Sequence, residues 1–174
     1  MSTGHTMLAV GAMMLLSVTV LNVNSKFLNT SGVLYNTKFG VLAISLGTSI
    51  IEEASAKEFD LAGSSDAITS LSQLTLPENL GAAGGEVYPD FNDFDDFNGF
   101  HKTDSIKINS KTFAVFDIDC RVRYVTEANP SINSSVRTWH KRIDVSVSSE
   151  SMKNANNIKD TIKLSSVYSY WHFR

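Results

Sequence analysis

The side chains best suited to chemistry in this chain are carboxylates and amides in one short acidic and aromatic run, residues 90–100. Closely spaced hard oxygens of this kind are the ligands that calcium prefers. The candidate ligands are Asp90, Asp93, Asp95 and Asp96. Their spacing departs from the EF-hand pattern, because Phe94 stands where that pattern needs its first ligand. We therefore expect a solvated acidic loop fastened to its domain by Phe91, Phe94, Phe97 and Phe100, and we keep a calcium site as the alternative.

Catalysis finds little support in the rest of the sequence. The pattern of a nucleophile elbow, a P-loop or a metal-binding pair is absent, and the histidines are scattered. They are His5, His101, His140 and His172. The single cysteine, Cys120, falls at an apolar position of an alternating run, which is typical of a buried thiol. We expect a protein that is not an enzyme and that needs no cofactor unless calcium binds the acidic run.

A long N-terminal helix is predicted over residues 1–60, because the first 25 residues carry no Asp, Glu, Lys or Arg and the first proline is Pro77. About 20 helical residues match the ~30 Å hydrocarbon layer of a membrane. The predicted membrane or filament-core positions are Met7, Leu8, Val10, Met13, Met14, Leu15, Leu16, Val18, Val20 and Leu21. A cleaved signal sequence is the alternative, although no basic residue precedes Lys26.

Helical periodicity continues beyond this apolar half. Apolar residues recur at helical spacing in Leu28, Tyr35, Phe39, Leu42, Leu46 and Ile50. Polar and glycine residues predict the helix end within 58–63, and poor helix formers predict weak points at 22–25 and 29–32. The second half of the helix is therefore expected to be amphipathic and to pack its apolar face on another element of the fold.

Alternating apolar and polar residues predict strands over 116–124, 139–147 and 161–173, the last with a bulge at Ser165–Ser166. Turn residues between them indicate an antiparallel meander, whose apolar face needs a cover. Residues 61–85, rich in Ser, Gly and Ala, read as an irregular connector. The predicted fold class is α+β, with a long N-terminal helix packed on a small antiparallel β-sheet head over residues 61–174.

Charge is distributed unevenly behind a formal net charge of −3. Residues 86–104 hold six acids and one base, whereas residues 105–174 hold eleven bases and six acids. The bases mostly alternate with apolar residues in the predicted strands, as they do on an ordinary solvated face. We therefore expect no nucleic-acid partner, and we expect the two regions to attract each other or a neighbouring subunit.

This architecture resembles that of type IV pilins and the related pseudopilins of type II secretion. The Gly4-His5-Thr6-Met7-Leu8 segment is similar to a prepilin processing site, with Gly4 and His5 flanking the cut. The acidic run and the strand segments 120–125 and 141–147 are similar to those of minor pilins of the mannose-sensitive haemagglutinin class. In this register Ala9 stands where the family usually carries a glutamate.

The resemblance implies a structural subunit of a cell-surface filament that assembles with copies of itself through the apolar helix. It also implies insertion in the inner membrane before assembly and contact with a pilus assembly machinery. Two alternatives stay open. One is a pseudopilin of a secretion system, and the other is an exported binding protein tethered to the membrane by a single helix.

Overall fold

The structure, a computed structural model, describes residues 3–63, 67–107, 113–153 and 158–173. Its longest element is the helix α1, Thr3–Ser55. Four strands follow in the described chain: β1 His101–Lys107, β2 Phe113–Tyr124, β3 His140–Lys153 and β4 Lys159–Ser169. Short 3₁₀ turns interrupt the remaining segments, and the predicted α+β class is confirmed.

The chain divides into two compact units, Met1–Lys38 and Phe39–Arg174. The described part of the first unit is helix alone. The second, which we call the head unit, contains the last turns of α1, the connector and the sheet. The part of α1 from Phe39 onward therefore belongs with the sheet that it covers, rather than with the apolar residues that precede it.

The sheet is an antiparallel meander in the order β1-β2-β3-β4, which confirms the predicted topology. Strand β1 was not predicted, because its residues alternate only between exposed and half-buried positions and Ile106 is its sole aliphatic side chain. The predicted bulge at Ser165–Ser166 is wrong. Pairing there is regular, and the irregularity lies between Ser148 and Lys153 of β3. The polar Ser166 occupies a half-buried position in a regular alternation of exposed and half-buried residues. A polar residue at such a position imitates a change of phase in the sequence pattern.

Helix α1 packs on the sheet through one stripe of buried side chains. Phe39, Ala43, Ile50 and Ala54 are the buried members of that stripe, at the spacing expected for one helix face. They share a core with the inward side chains of β2 and β3, including Cys120, whose predicted burial is confirmed. The other inward members are Ala114, Phe116, Ile118, Val122, Ile143, Val145 and Val147.

The helix ends at Ser55, a few residues before the predicted range. The following backbone pairs instead with the acidic run: the N–H of Phe94 donates to the carbonyl of Glu58 at 2.8 Å, within a parallel bridge between Glu58 and Asp93. The predicted weak points at 22–25 and 29–32 stay helical. The connector is largely irregular, as predicted, with 3₁₀ turns at Leu71–Gln73 and Pro77–Asn79.

Candidate functional sites: an exposed apolar helix and a buried charge cluster

The first candidate site is the apolar segment Thr3–Phe27 of α1. It is 25 residues long and apolar enough to cross a membrane by length and composition. At 1.5 Å per residue it measures about 37 Å, which exceeds the hydrocarbon thickness of a bilayer. All of its side chains are exposed within the chain, with Met7 at 78% and Leu15 at 72%. A water-exposed surface of this kind needs a cover, which the described part of the chain does not provide.

Three hydroxyl groups of the apolar segment donate to its own backbone. Thr6 Oγ1 donates to the carbonyl of Thr3 at 2.9 Å, and Ser17 Oγ donates to that of Met13 at 2.9 Å. Thr19 Oγ1 donates to the carbonyl of Leu15 at 2.8 Å. Such bonds to the preceding turn let a hydroxyl lie in an apolar medium without losing its hydrogen bond. These polar residues are therefore compatible with lipid or with packed helices as surroundings.

The predicted processing residues lie in the first turns of α1. Gly4 and His5 are both helical and exposed. Their accessibility agrees with a cleavable segment, and cleavage between them stays a prediction.

The acidic run is not the solvated loop that we expected. Asp90 is exposed, but Asp93, Asp95 and Asp96 are each at most 3% exposed. Two of these carboxylates cap the local backbone. Asp93 Oδ1 accepts the N–H groups of Asp95 at 2.9 Å and Asp96 at 3.2 Å, and Asp96 Oδ2 accepts those of Asn92 at 2.9 Å and Asp93 at 3.1 Å. The phenylalanines do fasten the run to the core, as predicted.

The four acids predicted as calcium ligands are therefore divided among different tasks. Asp90 faces solvent, Asp93 and Asp96 hold backbone N–H groups, and Asp95 binds Lys141. Within the described ranges, no group of three or more His, Cys, Asp or Glu side chains is placed to hold a metal ion. A calcium ion would have to compete with these existing partners, and calcium binding stays a prediction.

The second candidate site is a buried charge cluster centred on Lys141 of β3, whose side chain is 0% exposed. Its Nζ donates to the carbonyl of Phe59 at 2.7 Å, to Asp60 Oδ2 at 2.9 Å and to Asp95 Oδ1. All three ammonium hydrogens thus have acceptors. The same nitrogen lies 4.5 Å from the ring centre of Phe59 and 5.4 Å from that of Tyr124.

Asp60 anchors this cluster to the connector. Its Oδ2 accepts the N–H of Thr75 at 2.9 Å and its Oδ1 accepts the hydroxyl of Thr75 at 3.2 Å. The hydroxyl of Tyr124 donates to the carbonyl of Thr75 at 2.8 Å. The cluster therefore joins the chain just after α1, the connector, the acidic run and two neighbouring strands.

Burial governs the protonation of the acidic run. Burial raises the pKa of Asp95, and the nearby Lys141 ammonium opposes that rise. Burial also raises the pKa of Asp93 to about 7, and the neighbouring charges of Asp95 and Asp96 add to the rise. A buried carboxyl group in such a position is able to hold a proton near neutral pH.

Sequence reasoning missed this cluster, although one signal was available. Lys141 has the same phase in β3 as Ile143 and Val145, so the alternation alone places it on the inward face. We had assigned the bases of the strands to a solvated face. That holds for the exposed Arg121, but it is wrong for Lys141.

Comparison of the chain with protein-family models, with curated proteins and with solved structures finds no match. The class is therefore defined by the fold and the sites alone. This is an α+β protein in which one helix carries an apolar, membrane-compatible segment and, from Phe39 onward, packs on a four-stranded antiparallel sheet.

Proposed function

We propose that this protein is a structural subunit of a type IV pilus-like cell-surface filament. The apolar segment Thr3–Phe27 holds the subunit in the inner membrane before assembly, with delivery to the filament by a pilus assembly machinery. In the filament, the same segment packs against the corresponding segments of other copies. The observation that carries this proposal is the exposure of every side chain of a helical segment that is long enough to span a bilayer and whose one Asp, Glu, Lys or Arg residue is Lys26, next to its end.

The energetic argument is that such a segment does not remain in water. Burying one Leu, Met or Val side chain is worth ~1.5–3 kcal/mol, so the ten predicted core positions together strongly favour lipid or packed helices. Transfer from lipid to a bundle of helices gains little from the hydrophobic effect. It gains instead from close packing between helices.

Continuation of α1 into a packed stripe supports a subunit role over a simple tether. A tether needs only a span and a linker, whereas here a single helix both bears the apolar segment and supplies the core stripe from Phe39 to Ala54. We therefore prefer a packed assembly.

A membrane-tethered exported protein is the second candidate, and the length of the apolar segment favours it equally. A pseudopilin of a secretion system shares the same features. Both candidates differ from the proposal in one observable respect, because neither gives long filaments at the cell surface.

The test is cryo-electron microscopy of material sheared from the cell surface, for the native chain and for a variant with Leu15→Asp and Leu16→Asp. An aspartate at the centre of a membrane helix costs about 2.5–3.5 kcal/mol, so the double substitution should abolish filaments. Val87→Asp is the matched control, because Val87 is 69% exposed and lies in the head unit, just after the connector. Filaments of the native chain with residues 7–23 at the axis support the proposal. Filaments that persist in the double variant, or a native chain found only in the membrane, contradict it.

A further inference from the structure

The buried charge cluster brings together an amine, a carboxyl group and a second carboxylate in a site closed to water. The side chains of Lys141, Asp60 and Asp95 are 0%, 1% and 3% exposed. They come from distant parts of the chain, since 46 residues separate Asp95 from Lys141 and 81 separate Asp60 from Lys141. This arrangement contains every group that amide formation between two side chains requires.

We propose that Lys141 and Asp95 condense to an intramolecular isopeptide bond, with Asp60 carrying the proton. The ammonium of Lys141 gives a proton to the Asp60 carboxylate. The lone pair of the resulting neutral amine attacks Cγ of protonated Asp95. The new C–N bond forms as the C–O bond to the carboxyl hydroxyl breaks. Asp60 returns this proton to that hydroxyl, which leaves as water, and the Asp60 carboxylate then takes up the second proton of the amine. Release of this proton from Asp60 to solvent offsets the proton that Asp95 had taken up from solvent before the reaction. The net change is loss of one water molecule, with no oxidant, reductant or co-reactant.

The contacts place the reacting atoms correctly. Nζ of Lys141 is hydrogen-bonded to Asp95 Oδ1, so the carboxyl carbon lies one bond beyond that contact. Asp60 Oδ2 lies 2.9 Å from the same nitrogen, within reach for proton transfer. Asp60 is held in turn by the N–H of Thr75 at 2.9 Å and that of Ala62 at 3.3 Å. An amine, its electrophile and its base are thus positioned by the fold before reaction.

The site also favours the product over the ion pair. In water an ammonium and a carboxylate are stabilised by hydration, and burial removes that hydration from both. Condensation replaces these two buried charges with one neutral amide. The rings of Phe59 and Tyr124 lie beside the nitrogen and keep water from reversing the reaction. Burial raises the pKa of Asp95, which favours the protonated acid that loses its hydroxyl as water.

The experiment is mass spectrometry of the denatured full chain after purification in detergent. The native chain should be lighter by one water molecule than its sequence requires. A matched Lys141→Arg variant keeps the positive charge but has no side-chain primary amine at this position. It should have the full mass calculated from its sequence, counted from the same first residue as the native chain, with no loss of water. A native chain at its full sequence mass overturns the proposal, and leaves a non-covalent ion cluster.

Peptide mapping then locates the bond. Trypsin should release residues 58–102 joined to residues 138–142, because a blocked Lys141 resists cleavage. Fragmentation should place the link at Asp95, and a link at Asp60 would overturn the assigned roles. In an Asp60→Asn variant that is refolded, the rate of link formation should fall by ~10²-fold or more, as expected when a proton carrier is lost. An unchanged rate would remove Asp60 from the reaction.

Discussion

Replacing Gly47 with valine should destabilise the head unit, because α1 lies close to side chains of the sheet at this position. A Cβ atom at position 47 would lie 2.6 Å from Leu164 Cδ1 and 3.3 Å from Val147 Cγ2. Leu164 is half-buried and its methyl group could turn aside, but Val147 is 0% exposed and is packed in the core between helix and sheet. The added side chain therefore has to push the helix away from the sheet.

The expected magnitude follows from two opposing effects. Overpacking of a well-packed core costs ~1–3 kcal/mol. Valine is a better helix former than glycine by about 0.3–0.5 kcal/mol, which offsets a small part of that cost. The net loss in the free energy of unfolding should be about 0.5–2.7 kcal/mol.

Gly40 provides the matched control on the same helix. A Cβ atom there would meet nothing within 4 Å, so Gly40→Val keeps the gain in helix propensity without the clash. Urea unfolding of the full chain in detergent, followed by the fluorescence of Trp139 and Trp171, measures both variants. Gly47→Val should unfold at lower urea than the native chain, whereas Gly40→Val should unfold at equal or slightly higher urea. A Gly47→Val variant as stable as Gly40→Val would refute the close contact between helix and sheet.

Two further predictions concern the protonation of buried groups. Because burial raises the pKa of Asp93 from 3.8 to about 7, the folded state keeps a proton that the unfolded state has lost, so this group's stabilisation is complete below pH 3.8 and disappears as the pH rises to about 7. Relative to Asp93→Asn, the native chain should lose up to about 1.4 kcal/mol per pH unit across this window in urea titrations, and a difference independent of pH would contradict the assignment. Burial also raises the pKa of Cys120 to about 12, so a maleimide should label this thiol only after urea unfolding, and rapid labelling of the native chain would show that the thiol is accessible.

The sequence was sufficient for the parts of the fold in which one physical pattern dominates. Alternation in residues 116–124 identified β2 and correctly placed Cys120 inward. The apolar stripe that includes Phe39 and Ile50 identified the helix face that covers the sheet. Strand β1 was missed because an edge strand with one half-buried face needs few apolar residues. Its formation depends on pairing with β2, which no local pattern records.

The acidic run shows a different limit. Its charge predicted solvation, yet Asp95 is buried because Lys141 and Asp95 come together from positions 46 residues apart. Neither a lysine nor an aspartate indicates burial by its residue type, and an unpaired charge at either position would be costly. Only the inward phase of Lys141 hinted at a partner, and the sequence gives no means of choosing that partner among the many acids.

Apolar side chains in both parts of α1 need apolar surroundings, and the described chain provides them for only one part. From Phe39 to Ala54 the apolar stripe is buried, since the sheet provides a complementary apolar face. From Met7 to Leu21 apolar side chains predominate on every side of the helix, and the described chain covers none of them. A helix that is apolar all round is stable only when it is surrounded by apolar material. The described part of the chain does not supply that material, and in our proposal it is lipid before assembly and the same segment of other copies afterwards.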